Sequence, residues 1–414
     1  MLLKNKIFLL ALKGFGLTVK MIFILTIAKL LSVQDVAAYG EFMSYLNIML
    51  VIFGFEIYAY SQRRIATKDD KMFEIFSHLK TQAIISIPLF VLLAILYFID
   101  YISVYSFYML IVLLFFELIA QELARYLIAL DRHVQAAIAS FIRNGGWSLI
   151  VVILFISNTE YRNIDTLFGV YVVMSLISGL YSFVNIKKYF SKNKTSTEDG
   201  DFKNWFKEST RNSIIYFISG IGASLLFFID RYTLSKHGTD ISLATHTIFI
   251  VISTSVTSLL LSTVYSYNLP DFIRSVGSKD CNVIAKKTRN ILLELIVVLV
   301  IVNVSAVIIL PYLFEYIGKE EYLSSMDYFF VLLLVANINS LSYLPHYYMY
   351  ASGMDKKLCA VSVTSVIVLI LAIYILSLSN LEIIYTVGYS LLITFSYLFL
   401  IKSIISFRHF RVEK

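Results

Sequence analysis

The chain has 414 residues, of which 58% are hydrophobic and only 15% are charged. An ordinary soluble domain of this length does not need so much apolar surface, so the composition indicates an integral membrane protein. The formal net charge of +7 would suit a nucleic-acid partner if the basic residues formed one patch. They are instead divided among the connections between apolar segments, and we predict no nucleic-acid partner.

Twelve apolar segments, each long enough to cross a bilayer as a helix, follow one another along the chain. They lie at roughly 7–31, 36–60, 80–99, 104–124, 136–157, 165–186, 210–232, 241–265, 290–310, 326–349, 358–378 and 382–404. The first segment follows a short basic stretch, as in a cleaved signal peptide. Lys13 and Lys20 interrupt its apolar run, however, and no small-residue cleavage pattern follows. We therefore predict a retained first helix and an all-α integral membrane fold of about twelve transmembrane helices.

The basic residues predict the orientation of these helices. About 27 of the 35 Lys and Arg residues fall in one alternate set of connections, and only about five fall in the opposite set. Short cytoplasmic loops retain positive charge, whereas loops on the outer side do not. Both termini are therefore predicted to be cytoplasmic, in a multi-pass membrane protein.

The longest polar connection divides the twelve helices into six and six. We predict an N-terminal six-helix lobe, a cytoplasmic linker, a C-terminal six-helix lobe and a cytoplasmic tail, over residues 1–188, 189–209, 210–406 and 407–414. Similar segments recur in the same order in both halves, namely 28–40 with 230–246 and 126–140 with 348–365. Chance similarity between apolar segments is the alternative. A true repeat with an even number of helices in each half would place a cavity between two lobes of equal orientation.

Four segments at these positions resemble a known superfamily. They are LLSVQDVAAYGEF at 30–42, FIDRYTL at 228–234, NLPDFIR at 268–274 and ILPYLFEYIGKEEY at 309–322. In their order and spacing, the chain resembles the multidrug/oligosaccharidyl-lipid/polysaccharide (MOP) exporter superfamily. Within it, the chain is most similar to O-antigen or capsule repeat-unit flippases of the Wzx type.

This resemblance implies two lobes around a central cavity and a place in the bacterial inner membrane. It implies that the substrate is an undecaprenyl-diphosphate-linked oligosaccharide, moved from the cytoplasmic to the outer leaflet for O-antigen or other surface polysaccharide. The lipid bilayer, polysaccharide assembly proteins and a coupling proton or sodium ion are the further partners that it implies. No cofactor or bound metal is expected.

Charges inside the predicted spans mark candidate sites, because a charge at the centre of a spanning helix costs about 2.5–3.5 kcal/mol on insertion scales. The first half contributes the candidates for substrate binding in the cavity: Lys13, Lys20, Glu56, Glu117 and Arg143. Lys13 and Lys20 are seven residues apart and share one helix face. The alternative is that they snorkel to the interface. The Arg143 guanidinium can bind a diphosphate through two hydrogen bonds; the alternative is an ion pair with Glu117 or Glu56.

The second half contributes candidates for ion coupling or for structural roles: Asp230, Arg231, His246, Asp327 and His346. Asp230 and Arg231 are placed at the outer end of the seventh helix, where a structural salt link is expected. His246 and His346 are candidates for titration in a proton-coupled cycle. The alternative for each histidine is a buried, hydrogen-bonded structural role.

No motif for covalent chemistry occurs in the sequence. There is no GxxxxGK[ST] run, no GxSxG elbow and no spacing typical of metal ligands. We therefore predict a transporter and not an enzyme. An ion-coupled multidrug exporter of the same superfamily is one alternative. A membrane O-antigen polymerase or glycosyltransferase is another, but it would need a large outer loop, and the longest outer connection has about fourteen residues.

Overall fold

The structure, a computed structural model, describes residues 2–67, 70–98, 107–192 and 201–413. Lys68, one of the basic residues in the predicted cytoplasmic connections, lies outside the described residues. So do residues 193–200 of the predicted linker and the two terminal residues of the chain. The remaining parts of the predicted linker, 189–192 and 202–209, are helical.

The described residues form sixteen α-helices. They are α1 (Leu2–Leu30), α2 (Val33–Gly54), α3 (Tyr58–Thr67), α4 (Lys71–Phe98), α5 (Phe107–Ala129), α6 (His133–Phe141), α7 (Trp147–Ser157), α8 (Ile164–Lys192), α9 (Phe202–His237), α10 (Asp240–Leu260), α11 (Ser266–Gly277), α12 (Cys281–Ile317), α13 (Glu320–Leu323), α14 (Met326–Ala351), α15 (Asp355–Ser377) and α16 (Ile383–Glu413). Two π-helical turns, Ile142–Gly146 and Leu261–Tyr265, join α6 to α7 and α10 to α11.

Twelve helical segments of the described chain are long and apolar enough to cross a membrane. The predicted all-α fold with about twelve transmembrane helices is therefore confirmed. Several of these segments expose a continuous apolar surface, as expected for helices that face lipid. On α12, for example, Val297, Val300, Ile301, Val304 and Ile308 are all more than half exposed.

Several predicted helix boundaries are wrong, among them the following three. The second predicted helix continues to residue 60, but α2 ends at Gly54, because Phe55 and Glu56 adopt left-handed φ angles of 48° and 52°. The third predicted helix begins at residue 80, but α4 begins at Lys71. The seventh predicted helix ends at residue 232, whereas α9 continues to His237.

The chain forms two compact units. Unit 1 comprises Met1–Phe23 and Phe42–Ile221, and unit 2 comprises Ile24–Glu41 and Gly222–Lys414. In unit 1, α5 packs along α8, where Gly179 allows a close approach to Ala120. In unit 2, α16 packs against both α14 and α15, and α10 packs against α14. The predicted division into lobes at residues 188 and 210 stays a prediction.

The turns that end α5 and α14 are built in the same way. Each leaves three residues between two helices, and each has a residue with positive φ, Asp131 at 58° and Gly353 at 69°. In each turn the following amide donates to a carbonyl five residues earlier, Arg132 to Leu127 at 2.8 Å and Met354 to Met349 at 2.9 Å. These hydrogen bonds satisfy carbonyls at the helix end. The shared geometry supports the predicted repeat at this position.

Candidate functional site

Arg143 lies in the π-helical turn between α6 and α7. Its guanidinium forms an ion pair with Glu117 of α5, and the second Glu117 oxygen accepts a hydrogen bond of 2.7 Å from Ser175. The two charged side chains are 15% and 2% exposed. The Arg143 Nε atom is also buried and has no hydrogen-bond partner among the described residues. The ion pair therefore leaves the buried Nε–H group as a donor for another acceptor.

The same turn packs against α1 within unit 1. A Cβ atom on Gly145 would lie 3.4 Å from the Gly16 Cα, and the Phe15 and Phe141 rings stack with centroids 5.5 Å apart. Lys13 precedes Gly16 by about one helical turn and Lys20 follows it by about one turn. Both lysines are exposed on the protein surface. The contact therefore brings α1, with its two lysines, to the element that carries Arg143.

Glu56 lies at a different place in unit 1. It is the second left-handed residue of the break between α2 and α3, and its Oε1 atom approaches within 3.3 Å of the position of a Cβ on Gly220 of α9. The neighbouring Phe55 ring stacks on Phe217 with centroids 4.2 Å apart. Of the two partners considered for Arg143, the structure selects Glu117.

In unit 2, the structure brings Asp230 and His246 together with a third residue, Tyr328. The His246 Nε2 atom lies 3.1 Å from Asp230 Oδ2, and its Nδ1 atom lies 2.6 Å from the Tyr328 hydroxyl. All three side chains are fully buried. The imidazole thus connects a carboxylate and a phenol in a chain of hydrogen bonds, which is a suitable arrangement for holding one proton in a fixed position.

The expected salt link between Asp230 and Arg231 is not the arrangement in α9. The Asp230 carboxylate contacts His246, and the Arg231 Nη1 atom donates to the Phe227 carbonyl at 3.1 Å. Successive residues of a helix point about 100° apart, so their side chains do not face each other. Six further residues of α9 follow Arg231.

The other two candidates of unit 2 are separate from this chain of hydrogen bonds. Asp327 is exposed in the first turn of α14. A carboxylate at this position interacts favourably with the helix dipole. His346 packs between the rings of Tyr343 and Tyr347, with centroids 5.9 and 5.7 Å away.

A polar network in unit 1, centred on Glu74, was not predicted from the sequence. Arg64 Nε donates to both Glu74 oxygens at 2.8 and 2.9 Å, and Trp205 Nε1 donates to Oε2 at 2.6 Å. Tyr60 donates to Glu208 at 2.9 Å, and burial together with this hydrogen bond raises the pKa of Tyr60 to about 12. The network joins α3, α4 and the first turns of α9.

The sequence does contain a pattern that could have predicted part of this network, namely polar residues at a spacing of four. Glu74, His78 and Gln82 occupy positions i, i+4 and i+8 of α4, so they lie on one helix face, and all three are buried. The predicted third helix begins at residue 80, so Glu74 and His78 were assigned to a loop. The shared helix face was therefore not recognised.

Comparison with known proteins places this geometry in a known fold. No protein-family profile and no curated protein matches the sequence. Among solved structures, the chain matches a MATE transporter in the straight conformation with a TM-score of 0.67, 15% identity, and coverage of 99% of this chain and 96% of the other. The chain has the MATE fold.

Two further solved structures agree with this assignment. An inward-facing multidrug resistance MATE family transporter of the MOP superfamily matches with a TM-score of 0.64 and 12% identity over 96% of this chain and 95% of the other. A mutant of the Vibrio cholerae MATE transporter VcmN matches with a TM-score of 0.64 and 14% identity over 99% and 97%. The MATE fold confirms the predicted fold class. At these identities the likeness concerns the fold and does not select a substrate.

Proposed function

We propose that this protein is a flippase that moves an undecaprenyl-diphosphate-linked oligosaccharide from the cytoplasmic to the outer leaflet of the bacterial inner membrane. In this proposal both termini are cytoplasmic and two six-helix lobes alternate access to a cavity. The sugar and the diphosphate enter the cavity, and the polyprenyl chain remains in lipid.

The observation that carries the proposal is the cationic neighbourhood in unit 1. The Arg143 Nε atom is buried and has no hydrogen-bond partner among the described residues. The contact between Gly16 and Gly145 brings the α1 segment with Lys13 and Lys20 to the turn that carries Arg143. Guanidinium and ammonium groups are the usual ligands of phosphate oxygens. A diphosphate has the charge and the number of acceptors to bind several such donors at once.

Glu117 has a defined part in this proposal. In the absence of substrate it neutralises Arg143, and Ser175 holds its second oxygen at 2.7 Å. An arriving diphosphate competes with the carboxylate for the guanidinium. Exchange of one anionic partner for another keeps the buried charge compensated throughout, so a bare guanidinium is never left in the protein interior.

A multidrug exporter of the same superfamily is the second candidate, since the matching solved structures include a multidrug resistance transporter. In that case the buried acidic groups, and not the cations, would bind substrate. Cationic drugs would be drawn to buried carboxylates such as Glu117 of unit 1 or Asp230 of unit 2, each of which has a basic neighbour.

Transport in reconstituted vesicles tests the site. We expect Arg143→Ala to reduce flipping of a fluorescent undecaprenyl-diphosphate-linked oligosaccharide at least tenfold, and Lys20→Ala to reduce it several-fold. Lys236→Ala, which removes an exposed cation of unit 2, is the matched control and should retain full activity. If all three variants flip the substrate as fast as the wild type, the site assignment is wrong. Absence of flipping by the wild type would refute the function itself.

A further inference from the structure

A second group of buried polar atoms in unit 1 surrounds His78. Its Nδ1 atom lies 2.8 Å from the Ser61 hydroxyl of α3. Its Nε2 atom faces Glu122 Oε2 of α5 at 3.5 Å, without forming a hydrogen bond. The other Glu122 oxygen is paired with Arg125. Both facing atoms, His78 Nε2 and Glu122 Oε2, are buried and have no hydrogen-bond partner among the described residues.

Neither neutral tautomer gives the imidazole a strong hydrogen bond to Glu122 in this arrangement. If its proton is on Nδ1, the Nε2 lone pair faces a carboxylate oxygen. If the proton is on Nε2, the N–H group lies at the limit of hydrogen-bond distance with poor alignment. A second proton on the ring turns the contact into a charge-assisted pair and supplies both unpartnered atoms at once. The geometry therefore matches the protonated imidazole better than either neutral tautomer.

We propose that His78 and Glu122 form a proton-binding site that controls the break between α2 and α3. The proton comes from water at the cytoplasmic side and binds the imidazole, which then pairs with the Glu122 carboxylate. On release the ring returns to its neutral form, and the carboxylate keeps Arg125 as its partner.

The site is connected to the break on both sides. Ser61, which holds the imidazole, is in the first turn of α3, immediately after the break. Gln82 is one turn after His78 on the same face of α4, and its side-chain amide donates to the Phe53 carbonyl near the end of α2. The break itself consists of Phe55 and Glu56 in left-handed conformations, which are strained for residues with a side chain. A change of charge at His78 thus acts on a segment whose backbone is already under strain.

Other charged and titratable groups face the site from the elements that pack against α4. From α5 these are Glu122, Arg125 and Tyr126, whose ring lies 5.2 Å from the imidazole. From α3 they are Tyr58, which lies under the Arg125 guanidinium at 3.6 Å, and Arg64, which is neutralised by Glu74 of α4. The full charges near the imidazole are therefore paired, Arg64 with Glu74 and Arg125 with Glu122. Glu122 keeps one oxygen, Oε2, that can accept a hydrogen bond from an imidazolium.

This inference does not depend on the identity of the substrate, since proton binding at His78 would serve a flippase and a drug exporter equally. It is tested on the full chain in nanodiscs by NMR with ring-¹⁵N-labelled histidine, because the protein has only six histidines. The His78 signal is the one lost in His78→Gln. If that variant does not accumulate, the signal is assigned by elimination with single variants of the other five histidines.

We expect the His78 ring to take up a proton reversibly between pH 5 and 8. In Glu122→Gln the titration midpoint should move down by about one unit or more, a tenfold or greater loss of proton affinity. Glu160→Gln removes an exposed carboxylate of unit 1 and should leave the midpoint unchanged. A ring that stays neutral down to pH 5, or a midpoint that Glu122→Gln and Glu160→Gln shift equally, would overturn the proposal.

Hydrogen exchange tests the connection to the break. Peptides that cover residues 53–61 should become more protected in the wild type as the pH falls from 8 to 5.5, after correction for intrinsic exchange. In His78→Gln, or in Ser61→Ala if the first variant is unstable, this pH dependence should disappear. Equal protection at both pH values in the wild type would show that the proton does not act on the break.

Discussion

The ion pair between Arg143 and Glu117 permits a quantitative prediction. The two side chains are 15% and 2% exposed, so neither charge can be solvated fully when its partner is removed. Removal of one partner of a buried ion pair typically costs about 3–5 kcal/mol. Glu117→Gln should therefore lower the free energy of unfolding by about 3 kcal/mol, because it leaves the guanidinium charge uncompensated. Arg143→Gln should cost a similar amount, since only Ser175 then remains as a donor to the carboxylate.

The double variant Glu117→Gln/Arg143→Gln removes both charges and keeps two amides that can form a hydrogen bond. Its loss should be smaller than the sum of the single losses by about 2 kcal/mol, which is within the usual range for residues in contact. Denaturant titration of the purified protein in mixed micelles, followed by Trp fluorescence, measures the four free energies. Glu160→Gln, an exposed carboxylate of unit 1, is the control and should change stability by less than about 0.5 kcal/mol. Additive single losses would show that the two side chains do not interact.

Two further predictions concern unit 2. His246→Phe should lower the free energy of unfolding by about 1–3 kcal/mol, because it leaves the Asp230 carboxylate and the Tyr328 hydroxyl buried without their histidine partner. The same denaturant titration measures this loss. An unchanged stability would contradict the chain of hydrogen bonds. Gly388→Ala should lower the free energy of unfolding by about 1–3 kcal/mol, since an added Cβ would lie 2.5 Å from the Tyr328 ring. Gly169→Ala is the control and should have little effect, because nothing lies within 4 Å of its Cβ position. Equal losses of stability in both variants would show that the contact between Gly388 and Tyr328 is not tight.

The helix count and the main ion pair could be predicted from the sequence. Long apolar runs predict spans because lipid demands backbone hydrogen bonds inside each segment. A charge near the centre of a span demands a compensating charge, and this requirement placed Glu117 among the two partners considered for Arg143. Which of the two carboxylates pairs with Arg143 depends on helix packing, and hydropathy does not contain that information.

The break between α2 and α3 could not be predicted from composition. Phe55 and Glu56 have no intrinsic preference for left-handed φ angles, so their conformation is a result of packing around them. One such contact is the stack of Phe55 on Phe217, more than 160 residues away. The start of α4 was missed for a different reason, because a hydropathy window rejects the turn that carries Glu74 and His78 even though their four-residue spacing is typical of a helix face.

The most direct test of the central claim compares two substrates in the same vesicles. We expect the wild-type protein to move a fluorescent undecaprenyl-diphosphate-linked oligosaccharide across the bilayer, and to accumulate no cationic dye under a proton or sodium gradient. Flipping should weaken strongly when the diphosphate is replaced by a neutral linkage, because the guanidinium and ammonium groups of unit 1 then lose their ligand. Gradient-driven dye transport without flipping of the lipid-linked sugar would contradict the account and identify a multidrug exporter.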